Sequence, residues 1–205
     1  MTDELTPFAP RPTPPPEQRY SESDPLLDET ARPIGPAPDP GRRYTPVEQA
    51  QGQHLIDVHD ALRSELTQLH DVIAQLERGK IDAQAARGHL AKMTVRQNAW
   101  TFGAICMQYC RALTGHHTLE DASVFPHLEQ RAPELGPVLT CLFAEHEVIA
   151  ASVDAIDAAL VRFAGDASAF VDVRRAVDEM SDALLSHLSY EERELIEPLA
   201  RVGFH

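Results

Sequence analysis

Leucine recurs every seven residues at Leu55, Leu62, Leu69 and Leu76, with Leu66 and Ile73 between. That spacing draws an apolar stripe down one side of a helix and demands a partner surface to bury it. Three more segments carry such stripes. One reads Phe102, Cys106, Tyr109 and Leu113; another Leu139, Val153 and Leu160; the last Val173, Val177, Met180 and Leu184. No alternation of strand period is long enough to compete. The predicted fold is all-α, an up-down-up-down four-helix bundle.

The helix ends can be read as well. Thr45-Pro46-Val47-Glu48 offers an N-cap, a proline at the first helical position and a glutamate three after the cap. Gly79 is expected to end the first helix, and residues 82–92 to form a short crossing helix. Thr94 and Gln97 suggest a second cap, opening a helix that runs to about Arg131. Ala132–Pro137 reads as a turn, followed by a third helix over 137–164. Gly165-Asp166 is the next break, and a fourth helix spans 168–200. Twelve of the sixteen prolines fall within residues 1–46, where helix and central strand are both excluded. Residues 1–45 are therefore expected to be an extended, mostly disordered arm, and 46–201 the bundle. The alternatives for the arm are packing on the domain and serving as a Pro-rich ligand for a protein partner.

Composition excludes several functions. A formal charge of −14 argues against nucleic acid and anionic membrane surfaces, and no apolar run approaches the length of a bilayer span. Three cysteines, Cys106, Cys110 and Cys141, make no disulfide framework, and a reducing cytoplasm is the expected location.

The informative residues are the polar ones on the stripes. His59 interrupts the first, His116 and Glu120 the second, His146 the third, His187 and Glu191 the fourth. Counted from the helix ends at about 1.5 Å per residue, the six share one level roughly 9 Å deep. No Lys or Arg occupies that level of the stripes. Buried carboxylates need compensating charge, and a pair of metal ions would provide it. Each His-x3-Glu places imidazole and carboxylate on one face, one turn apart, so one helix can give a nitrogen to one ion and a carboxylate to both. That donor set suits iron, manganese or zinc.

The stretches VHDALRSEL (58–66), HHTLEDASVFPHL (116–128), AEHEVI (144–149) and HLSYEERELIEPL (187–199) resemble the hemerythrin-like, HHE cation-binding family. The resemblance implies a non-haem di-iron centre with carboxylate and oxo or hydroxo bridges, held by His59, His116, Glu120, His146, His187 and Glu191. It implies reaction with peroxide, dioxygen or nitric oxide. Oxygen-carrying members have His-x3-His on helix three; here the second position is Ala150. Loss of that imidazole is expected to leave an open metal position, which favours redox reaction over reversible carriage. An iron or oxygen sensor acting through a partner is the alternative. Ferritin-like oxidation is disfavoured, because none of the ten histidines has a glutamate three residues before it.

Neighbouring residues are read more plainly. His117, Asp121 and Glu192 are expected to flank the site or to hydrogen-bond its ligands. His54 points about 140° away from His59. Tyr109, Cys106, Cys110, Trp100, Phe102, Phe125 and Phe143 are expected in the core. His70, His89, His127 and His205 carry no pattern.

Overall fold

A computed structural model describes the backbone of residues 5–85 and 89–204, with side chains throughout except over 79–101. It is an all-α bundle of four long helical rods. The first is α1 (Pro46–Ala85). The second is α2 (His89–Leu119), which continues through a π-helical turn (Glu120–Val124) into α3 (Phe125–Arg131). The third is α4 (Gly136–Gly165) and the fourth α5 (Phe170–Val202). Among the described residues there is no strand, only an isolated bridge between Thr6 and Tyr44. None of the described helices is long and apolar enough to cross a membrane.

The cap of α1 forms as its sequence predicts. The Glu48 amide donates to Thr45 Oγ1 (3.2 Å) and the Thr45 amide to Glu48 Oε2 (2.7 Å). At the α4–α5 corner Asp166 accepts from the Ser168 amide (2.8 Å) and hydroxyl (2.7 Å). Two expected boundaries are corrected. Gly79 lies inside α1, since one glycine costs a helix only about 1 kcal/mol, too little to end a long packed one. Thr94 lies inside α2, which already starts at His89. Of the expected crossing helix, 82–85 belong to α1 and 89–92 to α2; 86–88 lie outside the described residues, as do the side chains of Trp100, His89 and His205.

α5 packs against α1 on one side and α4 on the other, with α2 touching both α1 and α4. The buried apolar residues fall into two clusters. The larger includes Leu62, Leu69, Phe102, Leu113, Ile156, Val177 and Leu184. The smaller includes Leu55, Phe125, Leu128, Leu142, Leu195 and Leu199. The level of His59, His116, His146 and His187 lies between them. Phe143 is an exception to its expected place: it is 38% exposed and meets buried Phe125 edge-on.

Residues 5–45, extended apart from a 3-10 turn at Glu29–Ala31, run against the bundle, chiefly along α5, instead of lying free. Arg19 pairs with Asp182, Arg32 with Glu145, and the Tyr44 hydroxyl hydrogen-bonds Glu197. Covered by helices on one side and the arm on the other, α5 buries nearly every residue from Ser186 to Ala200.

α1 and α5 approach closely at Gly52. A Cβ there would lie 2.5 Å from the Ile196 carbonyl oxygen and 3.1 Å from Phe8 of the arm. Backbone cannot rotate away, so Gly52→Ala must push the helices apart. We expect a loss of about 1–3 kcal/mol in chemical denaturation; an unchanged midpoint would contradict the packing.

Candidate metal centre

Each helix brings its donor to the centre by its own stripe. The π turn decides the second rod. Its Phe125 amide donates to the Glu120 carbonyl, and the buried stripe steps five residues, from Glu120 to Phe125. Glu120 and Phe125 therefore both face inward, which regular α geometry would not allow. π turns of this kind are frequent at functional sites.

All six residues singled out from sequence come together. His59, His187 and Glu191 are fully buried, Glu120 and His146 nearly so, and His116 is half-buried. The donors form two groups, each with its ligand atoms within 4.8 Å of one another. One holds His59, His116, Glu120 and Glu191; the other His117, His146 and His187. The carboxylates join them. Glu191 Oε2 lies 3.5 Å from both His59 Nε2 and His187 Nε2. Glu120 Oε1 is 3.2 Å from His116 Nε2, and its Oε2 is 3.6 Å from His146 Nε2.

His117 is the addition. A simple helical wheel separates it from His116 by about 100°, which is why it reads as a flank. The centre is deep enough to meet both faces of α2. The His117 ring stacks on His146 (centroids 4.0 Å) and meets His187 edge-on at 5.4 Å. Five imidazoles thus surround the centre, so His117 offers the nitrogen that Ala150 cannot. The adjacent pair His116-His117 was the available signal.

A ring of outer carboxylates sets the imidazoles. Nδ1 of His59 donates to Glu192 (2.9 Å), Nδ1 of His187 to Glu145 (2.9 Å) and Nδ1 of His146 to Asp121 (2.7 Å). This turns each Nε2, with its lone pair, to the centre. Glu192 and Asp121 thus take the expected hydrogen-bonding place; Glu145 has no counterpart in the sequence reading. Arg32 and Arg63 match Glu145 and Glu192 in charge. Glu120 and Glu191 face no Lys or Arg among the described residues.

The centre contains more lone pairs than protons. Nε2 of His146 and Nε2 of His187 stand 3.1 Å apart, although both rings have their Nδ1 protons committed elsewhere. One extra proton could relieve that pair: burial opposes protonation of His187, but the Glu145 and Glu191 contacts outweigh it and leave its pKa raised. That proton would still leave Nε2 of His59, His116 and His117, and all four oxygens of Glu120 and Glu191, buried without a hydrogen bond of ordinary geometry. Burial holds His116 down to about 4 and His117 lower still, so these rings are neutral. Burial, reinforced by Glu191, pushes Glu120 well above the usual carboxylate range. Such an excess of acceptors is costly in a protein interior, and metal cations satisfy all of them at once. The residues present fit a metal pair.

The remaining candidates lie outside the cluster. His54 is exposed, and Tyr109, Cys106 and Cys110 are buried among apolar residues. His70 stacks on Tyr20 of the arm, and His127 Nε2 donates to the Gly203 carbonyl. Beside His117 and His146 an open groove of about 200 Å³, lined by Thr114, Thr118, Asp121 and Ala150, reaches the surface.

Among known proteins, the family model described as hemerythrin HHE cation binding domain matches residues 52–199. No curated protein and no solved structure matches the chain.

Proposed function

Because the chain belongs to the hemerythrin HHE cation-binding family, we propose that it is a non-haem di-iron protein that reacts with peroxide, dioxygen or nitric oxide. The observation that carries this reading is the sharing of carboxylates. Glu120 and Glu191 each contact one imidazole of either donor group, as bridges between two adjacent ions must. Bound iron would supply redox electrons and a coordination position for a small ligand.

The chain's own residues do the rest. His59 and His116 would hold one ion and His117, His146 and His187 the other, with Glu120 and Glu191 common to both. Glu192, Glu145 and Asp121 keep the rings aimed inward. Fully buried apolar residues of the two clusters, such as Leu113 and Phe125, pack above and below this level. The groove of about 200 Å³ at Ala150 has room for peroxide or a diatomic molecule.

Anaerobic loading with ferrous iron, then separate exposure to peroxide, dioxygen and nitric oxide, tests the reactivity. At least one should change the absorbance of the loaded protein within the mixing experiment; inertness to all three would refute the redox reading. His117→Ala should weaken the hold on one of the two ions and speed its release into chelator, since its group loses one of three imidazoles. Retention of both ions at wild-type strength would return His117 to a flanking role.

A further inference from the structure

Two of the outer carboxylates are themselves held by the N-terminal arm. Arg32 grips Glu145 with two nitrogens, Nε to Oε1 at 2.6 Å and an NH2 group to Oε2 at 3.2 Å, while a third bonds Ser186 Oγ at 2.9 Å. The same Glu145 Oε2 accepts from His187 Nδ1. The guanidinium is almost completely covered, its side chain 6% exposed. On the other side of α5, the Thr13 amide donates to Glu192 Oε2 at 2.7 Å, and Glu192 Oε1 accepts from His59 Nδ1. Two separate points of the arm thus end, through one carboxylate each, on imidazoles of the two donor groups.

We propose that the arm is a positioning element of the metal centre: Arg32 through Glu145, and the Thr13 amide through Glu192, hold His187 and His59 with Nε2 towards the ions. The proposal rests on the metal reading above. Its physical basis is geometric. A carboxylate anchored at both oxygens cannot swing, so the ring it holds keeps one tautomer and one orientation. Without Arg32, Glu145 keeps only His187 and a long contact from the Cys141 thiol at 3.9 Å, and its Oε1 is no longer anchored by charge. Without the Thr13 amide, Glu192 loses its arm contact and keeps only Arg63 and His59. Arm contacts elsewhere differ in kind. Arg19, with the Tyr20 and Ser21 amides, holds Asp182, which makes no hydrogen bond or ion pair to the clustered imidazoles.

The test uses the full chain as wild type, Arg32→Ala, Thr13→Pro and Arg19→Ala. Thr13→Pro deletes one N–H and no charge, within a run of prolines already extended. Each protein is loaded anaerobically with ferrous iron, and release into excess chelator is timed; helicity and melting of the metal-free forms are recorded alongside. We expect Arg32→Ala and Thr13→Pro to weaken retention by about 10–100-fold, with Arg19→Ala at the wild-type rate. If wild type holds iron and both site-linked variants release it at the wild-type rate, the arm has no positioning role and the metal reading stands. If Arg19→Ala is equally impaired, the arm acts only as general packing, and the proposal fails. If wild type holds no metal, the metal reading fails and takes this proposal with it.

Discussion

Glu191→Gln is expected to cut bound iron from about two ions per chain to one or none. Glu191 is fully buried and faces His59 from one donor group and His187 from the other. Glutamine has the same shape, but it replaces one oxygen by an NH2 that cannot ligate, and it removes the charge that would balance a cation. The metal-free protein should respond differently. There the carboxylate is a buried anion beside Glu120, whose own pKa is raised well above the usual carboxylate range, and an amide can donate to the Nε2 lone pairs around it. Metal-free Glu191→Gln should therefore be no less stable than metal-free wild type. Metal analysis and denaturation of the same preparations check both halves. A variant that keeps two ions, or one that loses stability equally with and without metal, would mean that Glu191 is merely a hydrogen-bonded core residue.

Phe102→Ala is expected to cost about 3–5 kcal/mol. Phe102 is fully buried in the larger apolar cluster and meets Phe170 edge-on at 6.0 Å. Truncation leaves a cavity beside Phe170 at the start of α5. The site should not notice. Phe102 lies 14 residues before His116, roughly 21 Å along the helix, and Leu113 stands between them. Urea denaturation should thus show a large loss of stability while metal content under native conditions is unchanged. A small loss would mean that Phe102 is not tightly packed; loss of metal would mean that the two ends of the bundle are coupled.

These two substitutions mark what the sequence could and could not convey. The stripes gave the four rods and the common level of the six donors, because a seven-residue period is a property of one helix at a time and needs no knowledge of its neighbours. What the sequence obscured depends on contacts between segments. His117 is on the wrong side of an isolated helix and on the right side of a deep site. The π turn that brings Glu120 and Phe125 to the same face leaves no mark in composition. Gly79 looked like a stop only because tertiary packing, which outweighs a single glycine, was invisible. The arm is the clearest case. Its prolines leave room for no more than a 3-10 turn at Glu29–Ala31, and an extended segment that docks through backbone amides and arginines has no periodicity to find. The trace it left lies on α5, where Glu191, Glu192, Glu194 and Glu197 occupy several faces of one helix. A helix bathed on one side by solvent would not need all of them satisfied, yet Glu194 accepts from the Gly35 amide and Glu197 from Tyr44. From Ser186 to Ala200 α5 is covered on nearly every side, and Glu192, Glu194 and Glu197 of its acidic run meet the arm.

The most direct measurement is the metal content of the full chain purified from iron-replete cells, by plasma mass spectrometry. The account predicts about two iron ions per chain, shared by donor groups that meet at Glu120 and Glu191. A value near zero for every transition metal, unchanged after anaerobic ferrous reconstitution, would contradict it and leave a bundle whose buried histidines serve structure alone.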